Sequence, residues 1–353
     1  MQDTDATLPV AVIGVGRMGR HHARTYHNLA GAELSAVVDH DLQRAEALAE
    51  EYGCAAYPSV DAMLAERAIK AATIAVPTQH HAAAARPLIE RGIACLIEKP
   101  IAGSVKQAAE LIAFAKEHRC VLQVGHTERF NPAVRALSAL SLTPRYIEVC
   151  RVSPMTFRSM DVGVVMDMMI HDLDIVIALV DRPLAKVEAV GASILGEHED
   201  VCDARLTFEG GCVVSIKGSR MATGTTRTLK LFADDAYVSL DYGTREGVVI
   251  RTGPHAEALA ETRKKLAEGD DLSHANYLDM LTPEPLSIDL PADETDQLTA
   301  QAKAFLQSVR DDSTPVVTGE QAAAAVDAAE RIVSSMRRHA WDGRAAIAAE
   351  PGQ

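Results

Sequence analysis

No two of this chain's six cysteines, Cys54, Cys95, Cys120, Cys150, Cys202 and Cys212, stand in a CxxC pair or another metal-binding spacing. Several lie in apolar, strand-like runs, so a disulfide framework or zinc site is not expected, and reduced thiols in a cytoplasmic protein are. Positive charge is also scarce. Against 49 Asp and Glu stand 35 Lys and Arg, a formal net charge of −14, which excludes a general affinity for nucleic acid or an anionic membrane surface. An anionic ligand would need a local basic patch. Residues 1–8 lack the basic-then-apolar pattern of a signal peptide, and no stretch is a charge-free membrane span. Internal repeats are absent, and alanine-rich helices are the nearest thing to low complexity.

What remains is a globular composition, 48% apolar and 24% charged over 353 residues, long enough for about two domains with separate cores. Pro9 to Ile13 reads as a buried strand running into Gly14-Val15-Gly16-Arg17-Met18-Gly19. A GxGxxG alone is weak; here it follows a strand, opens a helix, and precedes a second strand ending in Asp39. That is the layout of a dinucleotide site. Gly14 permits the tight turn, Gly16 lets a pyrophosphate approach the helix N-terminus, and Gly19 lets helix and strand pack closely. Asp39 would bond the adenosine ribose and repel a 2′-phosphate, favouring NAD over NADP, with Arg44 close enough to weaken that preference.

Strand and helix continue to alternate up to Gly125, which predicts a doubly wound parallel sheet with ligands at the carboxyl ends of its strands. Pro77-Thr78 and Glu98-Lys99-Pro100 stand at such ends. Lys99 is there either a solvated edge residue or a positioned cation, and Pro100 biases it toward an extended backbone. His80 and His81 are read as the exposed start of a helix, since adjacent helical residues point apart and no third ligand accompanies them. After Gly125 the chain turns polar, and the domain boundary is placed there. Period-two segments between Lys186 and Asp241, with a Glu209-Gly210-Gly211 hairpin, predict an α+β domain on a mostly antiparallel sheet. The expected layout is thus a Rossmann domain over 1–125, a substrate-binding and oligomerisation domain over 126–338, and a loose tail over 339–353.

Val164 to Val180, VVMDMMIHDLDIVIALV, is apolar enough for a buried helix yet carries Asp167, His171, Asp172 and Asp174. Helical spacing sets Asp167, His171 and Asp174 on one face. Carboxylates are costly to bury unless paired, so the stripe is either satisfied internally or faces a cleft. A histidine between carboxylates can take and return a proton near neutral pH.

Together, Gly14–Gly19 after the first strand, Glu98-Lys99-Pro100, the Asp167-x-x-x-His171-x-x-Asp174 helix and Pro315–Glu320 before the last helix resemble the Gfo/Idh/MocA oxidoreductases over roughly residues 8–336. Of the glycine-rich run that often precedes the family's helix, only Gly163 is present. The resemblance implies NAD as cofactor, held by Gly14, Gly16, Arg17, Met18, Gly19, Asp39, Pro77, Thr78, Glu98 and Lys99. It makes Lys99, Asp167 and His171 the catalytic residues, with no metal. Val124–Pro132 and Asp161–Ile175 look like members that oxidise UDP-N-acetylglucosamine at C3, whose 3-keto product a partner aminotransferase converts to the amino sugar of amide-linked lipid A.

On that reading His171 accepts the hydroxyl proton, Asp167 positions substrate or imidazole, and Lys99 stabilises the developing oxyanion or is itself the base. Arg129, Arg151 and Arg158 would meet a pyrophosphate, Asn131 the sugar, and Asp174 another hydroxyl or a structural partner. An inositol or other polyol dehydrogenase, and a non-catalytic NAD-binding sensor, are the competing readings. The apolar alternation of the second sheet suggests that a second subunit covers one face, giving a homodimer or homotetramer.

Overall fold

The computed structural model describes residues 7–156, 162–195, 197–251, 253, 256–273, 283–288, 296–341 and 344–345. Its strands β1 (Leu8–Ile13), β2 (Ala32–Val38), β3 (Ala55–Tyr57), β4 (Ala71–Ile74), β5 (Ala94–Glu98) and β6 (Leu122–Gly125) are runs of small or branched apolar residues. β4 and β5 are buried along their whole length, as strands covered on both faces must be. All pair in parallel, in the order β3-β2-β1-β4-β5-β6. Between them run α1 (Arg17–Asn28), α2 (Leu42–Tyr52), α3 (Val60–Glu66), α4 (His81–Ile89) and α5 (Val105–Glu117). Asp41, Ser59 and Ser104 start α2, α3 and α5 by accepting the N–H three residues on, which satisfies a donor that the helix itself cannot. The strand order reverses between β1 and β4, and this opens a ligand crevice at their carboxyl ends.

The second sheet has eight strands: β7 (Pro144–Val152), β8 (Leu184–Ala192), β9 (Val201–Phe208), β10 (Val213–Ser219), β11 (Thr226–Ala233), β12 (Ala236–Asp241), β13 (Glu246–Arg251) and β14 (Glu284–Pro285). Their order is β14-β13-β12-β11-β7-β10-β9-β8. β7 and β10 run parallel and the other pairs antiparallel. The expected fold class therefore holds. Burial alternates along β9 and β12, the period-two signature of a sheet with one covered face. The helices of the chain's second part are α6 (Pro132–Ala139), α7 (Ile170–Val180), α8 (Ala256–Glu268), α9 (Gln297–Asp311) and α10 (Gly319–Arg337).

The chain divides into two compact units, Met1–Phe130 with Pro291–Glu330, and Asn131–Leu290 with Arg331–Gln353. This corrects the expected layout at both ends. The first boundary falls at Phe130, and residues 291–330 rejoin the first unit. The reason is packing: Ala302, Phe305 and Leu306 of α9 enter the same core as Val10, Val12, Tyr26 and Leu96. Chain order alone cannot show such a return. The tail expected over 339–353 lies largely outside the described residues.

Val164 to Val180 is not one α-helix. Residues Val165–Met169 form a π turn, with the Ile170 N–H bonded to the Val165 carbonyl five residues back, and α7 begins at Ile170. Such a turn resets the phase of a helix face and is frequent at functional sites. Its start is tied down by Glu199, which takes the Val164 N–H on its carbonyl at 2.9 Å and the Val165 N–H on its carboxylate at 3.2 Å. A Cβ on Gly163 would fall on the Glu199 carboxylate, so a larger residue there would have to displace that side chain from the Val165 N–H.

Candidate active site

In the first unit a cavity of about 790 Å³ opens at the β1/β4 reversal, lined among others by Gly14, Gly16, Met18, Asp39, Arg44 and Pro77. Gly14 has φ +85, and a Cβ there would meet Val76 and the Ala75 carbonyl at 2.8 and 2.9 Å; a Cβ on Gly19 would fall on the Gly14 carbonyl. Around the Cβ position of Gly16, by contrast, nothing lies within 4 Å. Gly16 also caps α1 without any side-chain hydrogen bond to the helix end. Open space before bare helix N–H groups is what a pyrophosphate needs, so these residues fit a dinucleotide.

Asp39 is only 6% exposed. Its Oδ2 accepts the Val15 N–H at 2.8 Å and its Oδ1 the Asp41 N–H at 3.0 Å. The carboxylate therefore fastens the glycine loop as well as facing the crevice. Arg44 reaches Asp39 at 3.8 Å and Asp41 at 3.2 Å; both aspartates hold its charge. Arg17 is exposed at the first turn of α1, while Thr78 is half-buried and is not among the cavity's lining residues.

Glu98 ends β5 and Lys99 follows it. Glu98 is buried, its Oε1 2.7 Å from His22 Nε2 of α1. Lys99 is half-buried and precedes a cis bond to Pro100. His81 is not the exposed residue expected. It is 1% exposed, with Nδ1 3.1 Å from the Pro100 carbonyl and 3.3 Å from that of Ile101, and Nε2 3.0 Å from that of Val76. Burial pushes its pKa below the ordinary imidazole value, against the raising effect of those carbonyls. His80 is exposed, as expected.

The second unit holds a cavity of about 420 Å³. One part of its wall is Asp167, Met168 and His171; another is Arg151, Arg220 and Arg227. Asp167 and His171 thus meet the same space. Asp174 does not line it and is 1% exposed on α7, so two residues of the expected three-residue stripe face the cavity. Arg151, on β7, sends Nε and Nη2 to the two carboxylate oxygens of Asp172, and both residues are buried. Arg220, just past β10, donates to Asp200 at 2.6 Å and to the Val162 carbonyl at 3.0 Å. Burial opposes the ionisation of Asp200, but the N–H groups of Leu195 and Ile194 and the Arg220 guanidinium outweigh it, leaving the pKa below the usual carboxylate value.

Arg227 on β11 lies directly opposite Arg151 in the sheet. Arg220 and Arg227 went unnoticed in the sequence because each sits in a different strand region from the helix. Only the order β11-β7-β10 gathers them. Two other expected contacts are not among the lining residues of this cavity: Asn131 is 1% exposed and caps α6 through the Ala133 N–H, and Arg129 is half-buried and belongs to the first unit. Arg158 lies outside the described residues.

Two family models match the chain, "Oxidoreductase family, NAD-binding Rossmann fold" over residues 8–126 and "GFO/IDH/MocA C-terminal domain" over residues 146–239. A UDP-N-acetylglucosamine 3-dehydrogenase of Acidithiobacillus ferrooxidans is 39% identical over 236 residues, 67% of this chain and 74% of that protein. An inositol 2-dehydrogenase of Rhizobium meliloti is 28% identical over 264 residues, 70% of this chain and 79% of that protein. Among solved structures, the Acidithiobacillus enzyme superposes with a TM-score of 0.80 at 31% identity, covering 93% of this chain and 97% of the other. An Agrobacterium radiobacter oxidoreductase solved with NAD⁺, L-tartaric acid and magnesium superposes at 0.78 with 18% identity, covering 94% of this chain and 97% of the other, a likeness of fold alone.

Proposed function

This chain belongs to the Gfo/Idh/MocA oxidoreductases and is an NAD-dependent dehydrogenase acting on CH–OH groups, and we propose that its substrate is a sugar nucleotide, UDP-N-acetylglucosamine, oxidised at C3 to the 3-keto sugar. The observation that carries this reading is the second cavity. Arg151, Arg220 and Arg227 gather beside Asp167 and His171; Arg151 and Arg220 are buried in pairs with Asp172 and Asp200, and the exposed Arg227 presents its guanidinium to the cavity in a protein whose net charge is −14. A neutral polyol has no use for such a wall, whereas a pyrophosphate is well matched by guanidinium forks. The Acidithiobacillus relative, a UDP-N-acetylglucosamine 3-dehydrogenase, supports the same substrate.

His171 takes the proton of the reacting hydroxyl. Asp167, four residues earlier and on the same cavity wall, orients that hydroxyl or the imidazole. Lys99 is assigned as the cation that stabilises the developing alkoxide, with the role of base as its alternative. The bound nicotinamide supplies the hydride acceptor. Arg151 and Arg220, held from behind by Asp172 and Asp200, form rigid walls, and exposed Arg227 closes on the anion. A 3-keto product suits a partner aminotransferase, which places the reaction in the cytoplasmic supply of 3-amino sugars for lipid A.

A homodimer or homotetramer is part of the proposal. Tyr146, Phe232 and Tyr237, on three adjacent strands, form an aromatic row with ring centroids 5.7 and 4.9 Å apart, and Phe232 is 37% exposed. A row of rings centred on an exposed phenylalanine suits a second copy.

The substrate reading is tested by competition. UDP alone should inhibit turnover competitively against the sugar substrate, and Arg227→Ala should raise KM by roughly tenfold, about 1.4 kcal/mol, with kcat nearly unchanged. Turnover indifferent to UDP would remove the sugar nucleotide and leave a polyol.

A further inference from the structure

Two buried histidines flank Lys99, and neither is used in the chemistry described above. His22 hangs from α1, the helix whose N-terminus faces the glycine loop, and its Nε2 lies 2.7 Å from Glu98, the residue before Lys99. His81 opens α4, and its Nδ1 lies 3.1 and 3.3 Å from the carbonyls of Pro100 and Ile101, the residues after Lys99. Its Nε2 lies 3.0 Å from the carbonyl of Val76, whose neighbour Pro77 lines the dinucleotide crevice with it. The two rings are 0% and 1% exposed. The Glu98 side chain is confined from its other side as well, because a Cβ on Gly125 of β6 would stand 2.9 Å from Oε1.

We propose that His22 and His81 are positioning residues, a bracket that sets Lys99 by holding the chain on both sides of it, each from an element that also shapes the cofactor crevice. Long lysine side chains are placed by their backbone, and a residue just past the end of a strand has no ladder partner to fix its course. A neutral imidazole donates from one nitrogen, so His22 holds Glu98 through Nε2 and His81 donates to one of its carbonyl neighbours, at Pro100–Ile101 or at Val76, and packs against the other. Because α1 and the Val76–Pro77 turn border the dinucleotide site, occupancy of that site is transmitted to Lys99 through the same contacts. The inference rests on Lys99 acting in the reaction, as proposed above.

The variants are His22→Leu and His81→Ala, with His22→Gln and His81→Asn as conservative partners that return an amide near the lost ring nitrogen. The first readout needs no substrate: the pH dependence of acylation of the Lys99 amine, followed by mass spectrometry with and without NAD⁺. In wild type, NAD⁺ changes the labelling rate of Lys99. In His22→Leu and His81→Ala that response is lost while NADH affinity stays within about twofold. The second readout is turnover, where kcat should fall by roughly tenfold or more with KM little changed, as misplacement of a reacting group does. The conservative partners restore both. Should His22→Leu fail to fold, His22→Asn, too short to reach Glu98, takes its place.

Unaltered Lys99 labelling in folded His22→Leu and His81→Ala would overturn the bracket. So would a loss of NADH affinity equal to the loss of turnover, the mark of a merely structural role. Lys99→Ala separates the two failures. If it keeps full turnover, the role given to Lys99 falls and the bracket with it. If it abolishes turnover while the histidine variants keep theirs, the bracket falls alone.

Discussion

Asp172 grips Arg151 through both carboxylate oxygens, Oδ1 standing 2.9 Å from Nη2 and Oδ2 against Nε. Asp172 is the acidic residue of the helix that falls outside the expected stripe, and Arg151 belongs to β7, so the pair joins helix and sheet in the second unit. Both are buried. Breaking such a pair strands a charge, so Asp172→Ala should lower stability by about 3–5 kcal/mol, read by denaturant unfolding. Replacing both residues by apolar ones of similar volume should recover much of that loss and still abolish anion binding.

Gly16 and Gly19 separate ligand space from packing space. Gly16→Ala should leave the thermal midpoint unchanged, because its Cβ meets nothing, while NADH affinity falls by roughly tenfold, about 1.4 kcal/mol. Gly19→Ala should destabilise the fold, since its Cβ would fall on the Gly14 carbonyl. Fluorescence titration and thermal unfolding of both variants check the contrast.

Asp200 links the second unit to acid stability. Its folded pKa is depressed, so its stabilising contribution is complete above the unfolded value of about 3.9 and disappears as pH falls through the folded value. The stability gap between wild type and Asp200→Asn should therefore be wide at neutral pH and narrow progressively below about pH 4. Urea unfolding across that range measures it.

Asp39 has two tasks, and one substitution should expose both. Asp39→Ala should let NADPH bind better relative to NADH, because the carboxylate that lines the cavity and would repel a 2′-phosphate is gone while Arg44 remains in the same wall. Total affinity should fall, because the Val15 N–H loses the oxygen that fastens the glycine loop. Binding of the two reduced cofactors by fluorescence separates these effects.

What could be read from the chain was local. The glycine loop and Asp39 fall within one βαβ unit, β1 to β2, where spacing along the chain carries the geometry, and Lys99 follows β5 of the same strand–helix alternation. Asp167 and His171 were legible from helical spacing and do share a cavity wall. Asp174 follows His171 by three residues within α7, and its burial away from the cavity is decided by packing that spacing along the chain does not show. The burial of His81 is decided by two loops that close over it, which no local pattern shows. Arg220 and Arg227 were overlooked for a different reason. Alternation tells which face of a strand is covered but not which strands are neighbours, and only the parallel β7–β10 pair and the β7–β11 pair bring these arginines to Arg151. The return of α9 to the first core was hidden in the same way.

The central claim is most directly tested by NADH formation. The purified protein would be mixed with NAD⁺ and UDP-N-acetylglucosamine, a glutamate-dependent 3-aminotransferase would drain the ketone, and myo-inositol would be run in parallel. The account predicts NADH with the sugar nucleotide, none with inositol, and loss of the signal in His171→Ala. NADH with inositol and none with the sugar nucleotide would contradict it.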